Sequence, residues 1–494
     1  MASILTGGSI AADVLYPYAR PQVKIDLDGQ INNLTKAYTT GDRIEGTVTV
    51  TANHLISFDE VEIQLEGSQT VSVERGAVPG HTGATQTFLR LRQPVGDDCY
   101  PIPRVIEPGR SYQFPFTFVV PGHLLPHICS HHKTNVHIQD SHTLLLPSLG
   151  DPMLAGDGRS VLDDMSPDMT RVTYHIRAEV LQKPVVGPAK SLRLVRKKIR
   201  IVPAVEEEPP LTVLDNDPVY RVRKEKDVRR GTMRPRQGRL VMAAAQPKPL
   251  RLSPPNRHSE SGSTAATVHL RFDPVGSEEP PSLGTVWSKL RVATYYTVHP
   301  WGDYPTSSMF SAVDMSGRGI YQDSVPLSNM CVASAQWTKH TADTYIRRDS
   351  FQSTSSAESI TGPSALFSGD TYYTASLVVP VSLPTNKAFL PTFHSCLISR
   401  IYILELCISY HTPNMNILTP TVSLKLPIQL TSGQPGADLR RSSEAITQEE
   451  VDAEFFSPRS VAPPGMNPIV APPDYTTYQS VSPLHTRPRE VRCP

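Results

Sequence analysis

Apolar and polar residues alternate along most of this chain in short runs, with glycine, proline or aspartate between them. Val23, Ile25 and Leu27 fall on one side before Gly29, Ile44, Val48 and Val50 follow the turn signal Thr40-Gly41-Asp42, and Val61, Ile63 and Leu65 end at Gly67. Successive side chains of a strand point to opposite faces, so a period of two bounded by turn residues predicts half-buried strands of antiparallel sheets. After a Gly/Thr-rich stretch at 76–86 the pattern resumes with Phe114, Phe116, Phe118 and Val120, stopped by Pro121-Gly122. Val172, Tyr174, Ile176, Ala178 and Val180 make the cleanest strand of this half, and Lys190–Val202 alternates apolar residues with cations. Between them, 141–170 holds Gly150, Pro152, Gly156, Gly158 and Pro167 and reads as an exposed insertion.

Residues 204–266 change character. Glu206-Glu207-Glu208-Pro209-Pro210 opens a stretch dense in cations, Arg221, Arg223, Lys224, Lys226, Arg229, Arg230, Arg234, Arg236 and Arg239, that ends in a Pro/Ser tract. A charged, Pro-rich segment buries too little apolar surface to fold alone, so it is expected to be a disordered linker. Strand signals return with Val268, Leu270 and Phe272, with Leu290, Val292 and Thr294, and with Leu377, Val379 and Val381. The strongest follow: Ile398, Tyr402, Leu404, Leu406, Ile408 and Tyr410 share one face, and Val422, Leu424, Leu426, Ile428 and Leu430 alternate without a break. From 431 the chain is polar, then acidic, then Pro-rich to its end. The expected organisation is a flexible leader at 1–20, a β-sandwich at 21–203, a linker at 204–266, a second sandwich at 267–430 and a disordered tail at 431–494.

Composition fits this picture. At 494 residues the chain exceeds what one core usually serves, and its 47 prolines oppose long helices. A net charge of +1 gives no reason to expect a dedicated nucleic-acid binder. The six cysteines are scattered without a C-x-x-C pair, which favours a reducing compartment. There is no basic residue before Arg20 and no run of 18 or more apolar residues, so the expected location is cytoplasmic.

Several strands carry a recognisable order of residues. In the first half these are Tyr38, Gly41-Asp42, Ile44, Gly46 and Val48, then Phe58, Val61, Ile63, Leu65 and Gly67, then Phe114-Pro115-Phe116, Phe118 and Val120-Pro121 with Leu125-Pro126, then Val172, Tyr174 and Ile176. In the second half they are Leu390-Pro391-Thr392-Phe393-His394-Ser395-Cys396-Leu397-Ile398-Ser399-Arg400-Ile401-Tyr402. The chain resembles the arrestin-like proteins, in particular the arrestin-related trafficking adaptors of fungi (alpha-arrestins), over roughly residues 21–203 and 267–430. The resemblance implies two tandem sandwiches and an adaptor without catalysis of its own. It implies recognition of cytoplasmic segments of plasma-membrane transporters or receptors, and recruitment from the cytoplasm to plasma membrane and endosomes.

In that family Pro-Pro-x-Tyr motifs recruit WW-domain HECT-type ubiquitin ligases, so that the cargo is ubiquitinated and internalised. Here Pro472-Pro473-Asp474-Tyr475 matches, which makes Pro472, Pro473 and Tyr475 the expected ligase-binding residues. Paired prolines bias the segment toward the polyproline helix that WW grooves accept. With 47 Pro and 18 Tyr, a chance match is expected about 0.16 times. The near match Asp217-Pro218-Val219-Tyr220 lacks the first proline. The alternative reading is an arrestin-like signalling scaffold for a nutrient- or pH-sensing receptor, with no ligase.

Other constellations are weaker. Arg193, Arg196, Lys197 and Lys198 sit in the basic strand and are the candidates for contacting acidic cargo or phospholipid; the bland alternative is an edge strand whose cations discourage aggregation. His123, His127, His131 and His132 surround Cys129, but a structural zinc site needs four converging ligands, so neither metal nor cofactor is expected. His394-Ser395-Cys396 uses catalytic residue types, yet strand neighbours point apart, and no enzyme is expected.

Overall fold

The computed structural model describes residues 20–433, apart from 31–35, 75–79, 157–159, 185–186, 230–234, 254–261, 310–316, 342–361, 366 and 413–418. Residues 1–19 and 434–494, and with the latter Pro472, Pro473 and Tyr475, lie outside the described residues. The described chain is nearly all β, as its alternation predicts.

The first sandwich contains β1 (Gln22–Leu27), β2 (Ala37–Tyr38), β3 (Arg43–Thr51), β4 (Ile56–Ser57), β5 (Glu60–Glu74) and β6 (His81–Gln93). It continues with β7 (Val105–Ile106), β8 (Ser111–Val119), β9 (Thr170–Gln182) and β10 (Lys190–Ile201). One sheet runs β1-β3-β8 and the other β2-β10-β9-β5-β6. Ile44, Val48 and Val50 of β3 and Phe114, Phe116 and Phe118 of β8 share a core with Val61, Ile63 and Leu65 of β5 and Tyr174, Ile176, Ala178 and Val180 of β9. On β8 the alternation is complete, with every second residue buried. Within the stretch at 76–86, residues from His81 onward are strand: β6 starts there and pairs with β5.

Gly46 sits opposite Phe116 in the β3–β8 pairing. A Cβ placed there would lie 2.3 Å from the Asp26 carbonyl oxygen and 2.7 Å from the Phe116 ring. Gly46→Ala must therefore push β1 outward, and an overpacking cost of about 1–3 kcal/mol is expected. Urea unfolding checks it, as a lower midpoint at unchanged slope; an unaltered midpoint would mean that β1 yields freely.

The second sandwich starts earlier than its sequence suggests. It contains β11 (Arg223–Arg229), β12 (Arg236–Ala244), β13 (Leu250–Leu252), β14 (Thr264–Pro274), β15 (Ser282–Thr297) and β16 (Arg318–Cys331). The rest are β17 (Thr338–Thr341), β18 (Thr371–Val381), β19 (Phe393–His394), β20 (Ile398–His411), β21 (Thr421–Ile428) and β22 (Leu430–Ser432). One sheet runs β11-β12-β14-β18-β17; in the other, β20 pairs with β15, β19 and β21, and β16 lies outside β15. Their inner faces meet through Leu240, Met242, Val268, Leu270, Phe272 and Val379 on one side and Leu290, Val292, Leu404, Leu406 and Leu424 on the other.

Two sequence-based expectations are corrected here. The described part of 204–266 is not a disordered linker: β11 and β12 pair antiparallel, and β12 pairs in turn with β14. Some of its cations are paired in place, since Arg239 pairs with Glu225 at 3.0 Å and with Asp227 at 3.1 Å, while Val228, Leu240 and Met242 enter the core. Charge density hid a strand because Arg223, Arg236 and Arg239 pair with carboxylates of the same hairpin. Nor is 141–170 an exposed insertion. His142, Leu145, Leu146, Leu149, Leu154, Asp164 and Met165 are all buried. Gly156 and Pro167 are buried with them, while Pro152, Met153 and Val161 face water, so the segment is partly covered rather than an exposed loop.

The two sandwiches belong to one compact unit and share apolar contacts. Tyr296, Val298, Leu390, Phe393, Cys396, Leu397 and Ile398, all from the second half, join the core cluster of the first. A smaller cluster of Ile138, Ala293, Tyr295 and Trp301 adds to this junction. The junction is held together by burial of apolar surface, the dominant favourable term in folding.

Candidate functional site

The basic strand β10 does not present its four cations together. Arg196 lies opposite Arg177 and Lys198 opposite His175, on the outer face of the sheet. Lys197 lies opposite buried Ile176 and Arg193 opposite buried Val180, on the inner side. Lys197 Nζ donates to the Ile25 carbonyl at 3.1 Å; burial lowers its pKa, against the opposing pull of Asp26. Lys198 Nζ meets Asp151 Oδ2 at 2.7 Å. Arg193 and Arg196 are exposed and pair with no carboxylate among the described residues. The outer face also carries Arg171 at the start of β9, which the sequence pattern did not bring forward, and Arg200 of the basic strand, whose Nη1 donates to the Ala155 carbonyl at 2.8 Å. Burial, then Arg196, holds His175 below the usual histidine range. Arg196, with Lys198, Arg200 and Arg171 beside it, is a strip suited to an acidic partner.

A second site lies between the sandwiches. Cys129 ends the single turn Pro126–Cys129, His131 follows it, His142 ends the short helix Ile138–His142, and Cys396 sits in the turn between β19 and β20. One ligand atom from each lies within 4.8 Å of the other three. Cys129 Sγ is 3.2 Å from His131 Nε2 and 3.4 Å from His142 Nδ1. His131 Nδ1 is 3.0 Å from the His132 carbonyl oxygen, so it carries the proton and donates. Burial, with help from Cys129, pushes the Cys396 thiol up to about 12, and burial also raises Cys129. Burial and then His131 push His142 down to about 3. The bare cluster therefore holds two thiols and a neutral His142 at neutral pH.

Of the histidines singled out in the sequence, His131 alone belongs to this cluster; His123, His127 and His132 are exposed. The ligand set that the sequence lacked is completed by His142 and by Cys396, from the other half of the chain. A chain of amides runs beside it: Ser395 Oγ donates to Gln69 Oε1 at 2.7 Å, Gln69 Nε2 to Gln86 Oε1 at 2.7 Å, and Gln86 Nε2 to the Ile128 carbonyl at 3.0 Å. Ser395 is thus held by an amide rather than by His394, whose Nδ1 is 2.6 Å from Ser399 Oγ.

Arg400 is the third feature of the junction and the largest of the fully buried side chains. Nη1 donates to the Asp164 carbonyl at 2.7 Å and Nη2 to the Met165 carbonyl at 2.9 Å, while Nε and Nη2 reach Thr294 Oγ1 at 3.1 and 3.0 Å. Met165 has the left-handed φ of 56°, a costly conformation for a side chain of this size. Nearby Lys387 Nζ pairs with Asp163 Oδ2 at 2.5 Å. The near match at 217–220 is a turn instead: the Asp217 carboxylate accepts the N–H groups of Val219 at 2.8 Å and Tyr220 at 2.7 Å.

No protein-family model matches the chain, and a search of curated proteins finds no relative. Among the described residues no helix is long and apolar enough to cross a membrane.

Proposed function

We propose that this chain is an arrestin-like adaptor. It binds cytoplasmic segments of plasma-membrane transporters or receptors and recruits a WW-domain HECT-type ubiquitin ligase through Pro472, Pro473 and Tyr475, promoting endocytosis of the cargo. The observation that supports this reading best is the combination of two antiparallel sandwiches in one compact unit with a Pro-Pro-x-Tyr motif beyond them. The cationic outer face of β9 and β10 is the surface offered to acidic cargo or to the anionic leaflet, and the ligase held by the motif works on cargo lysines at raised effective concentration.

The cargo surface is tested by charge reversal. Arg196→Glu is expected to weaken co-sedimentation with phosphatidylserine vesicles, or binding of an acidic peptide, by about fivefold or more, at about 1 kcal/mol per cation near such a surface. Arg193→Glu, on the other side of the strand, is expected to lose less. Both positions are exposed, so the fold should be kept to within about 0.5 kcal/mol. Equal binding by both variants and the parent would remove β10 from the cargo surface.

A further inference from the structure

We propose that Cys129, His131, His142 and Cys396 bind one zinc ion, which ties the two sandwiches together. The proposal is independent of the adaptor reading. Two thiolates and two imidazoles are the closed, four-ligand set of a structural zinc site, and this mixture of soft and borderline donors suits zinc over magnesium or calcium.

The spacing fits. With Zn–S near 2.3 Å and Zn–N near 2.0–2.1 Å, a tetrahedron has sulfur–nitrogen edges of about 3.5 Å and a sulfur–sulfur edge of about 3.8 Å. The two sulfur–nitrogen separations made by Cys129 are 3.2 and 3.4 Å, and no pair of ligand atoms, those of Cys396 included, exceeds 4.8 Å. Small side-chain shifts close the set around an ion.

The surroundings fit too. The bond from His131 Nδ1 to the His132 carbonyl leaves the Nε2 lone pair facing the cluster, which is how the outer shell of a zinc site sets the tautomer of its histidines. The Cys396 sulfur lies 3.9 Å from the Ile128 carbonyl oxygen, the same oxygen that accepts from Gln86 Nε2, so the amide chain packs directly beside this ligand. Cys129, His142 and Cys396 are at most 2 % exposed, while His131 is half-buried and gives the ion a way in. Both cysteines are free thiols. Binding releases one proton from each of them, so the zinc charge is matched by two thiolates. Three ligands come from the first half of the chain and one from the second, so the ion acts as a cross-link across the junction.

The test uses the full chain, purified under reducing conditions without chelator. One zinc per chain is expected by mass spectrometry of the metal, retained through gel filtration. Titration of the zinc-free protein with Co(II) is expected to give the intense visible bands of tetrahedral cobalt with thiolate charge transfer, bleached by added zinc. Cys396→Ser is expected to abolish both signals. Because Cys396 also packs in the core of the junction, His131→Ala serves as the second: it removes a half-buried ligand and should weaken zinc binding at least about tenfold against a chelating dye, with an unchanged circular dichroism spectrum. His127→Ala, an exposed neighbour, should bind as the parent does. The proposal is overturned by a parent chain without zinc that gives only the weak spectrum of octahedral cobalt. It is equally overturned by a Cys129–Cys396 disulfide in the reduced preparation, or by His131→Ala binding zinc like the parent.

Discussion

Arg400→Ala is expected to lower the free energy of unfolding by about 3–5 kcal/mol. The guanidinium is fully buried and spends its donors on two main-chain carbonyls, those of Asp164 and Met165, and on Thr294 Oγ1. Each carbonyl left without a donor in a dry site costs about 1–3 kcal/mol, and the vacated volume adds a cavity term. The strained backbone at Met165 also loses the bond that holds it. Arg400→Lys keeps the charge but not the planar fork, so it too is expected to be strongly destabilising. Chemical denaturation of the full chain with both variants measures this. A loss below about 1 kcal/mol in Arg400→Ala would mean that water replaces the guanidinium at the junction.

Tyr475→Ala is expected to remove ligase recruitment. In the proposed complex Pro472 and Pro473 present a preformed extended helix, and the Tyr475 ring supplies the large amphipathic anchor that dominates such small interfaces. A hot spot of this type is worth about 2 kcal/mol or more, which is roughly thirtyfold in affinity. The measurement is titration of peptides covering residues 466–482, with and without the substitution, into WW domains of a HECT ligase. Micromolar binding lost in the variant supports the adaptor. Equal or absent binding for both peptides would leave the ligase out and favour the receptor-scaffold alternative. Arg196→Glu should leave this affinity unchanged, which separates failure of the cargo surface from failure of the tail.

The strands were legible in the sequence where one face is buried and the other wet. Phe114, Phe116 and Phe118 alternate with exposed residues along the whole of β8, and period two is then sufficient. The pattern fails where cations are paired in place. Glu225 and Asp227 pair with Arg223, Arg236 and Arg239 within one hairpin, and composition counts the charges without seeing the pairs. It fails again at 141–170, where Leu145, Leu146 and Leu149 are covered by elements far away in sequence. The metal-ligand cluster was half visible. Cys129 and His131 stand in a conspicuous run, but His142 and Cys396 reach them only through the packing of the two halves. Arg400 stood out only as one residue of the run 390–402, with no sign of its burial: an arginine in a strand is ordinarily a surface residue, and only the converging carbonyls make it otherwise.

The sharing of core residues across the junction bears on how the chain is made. Leu390, Phe393, Leu397 and Ile398 finish the apolar interior of the first sandwich, yet a ribosome reaches them only after β11 to β18 of the second have been synthesised. Until then the nascent first half carries an open apolar end, the kind of surface that engages chaperones or aggregates. A nonsense mutation anywhere between the two halves would therefore not release a working single-sandwich fragment. It would release a protein with an unfinished interior, destined for degradation.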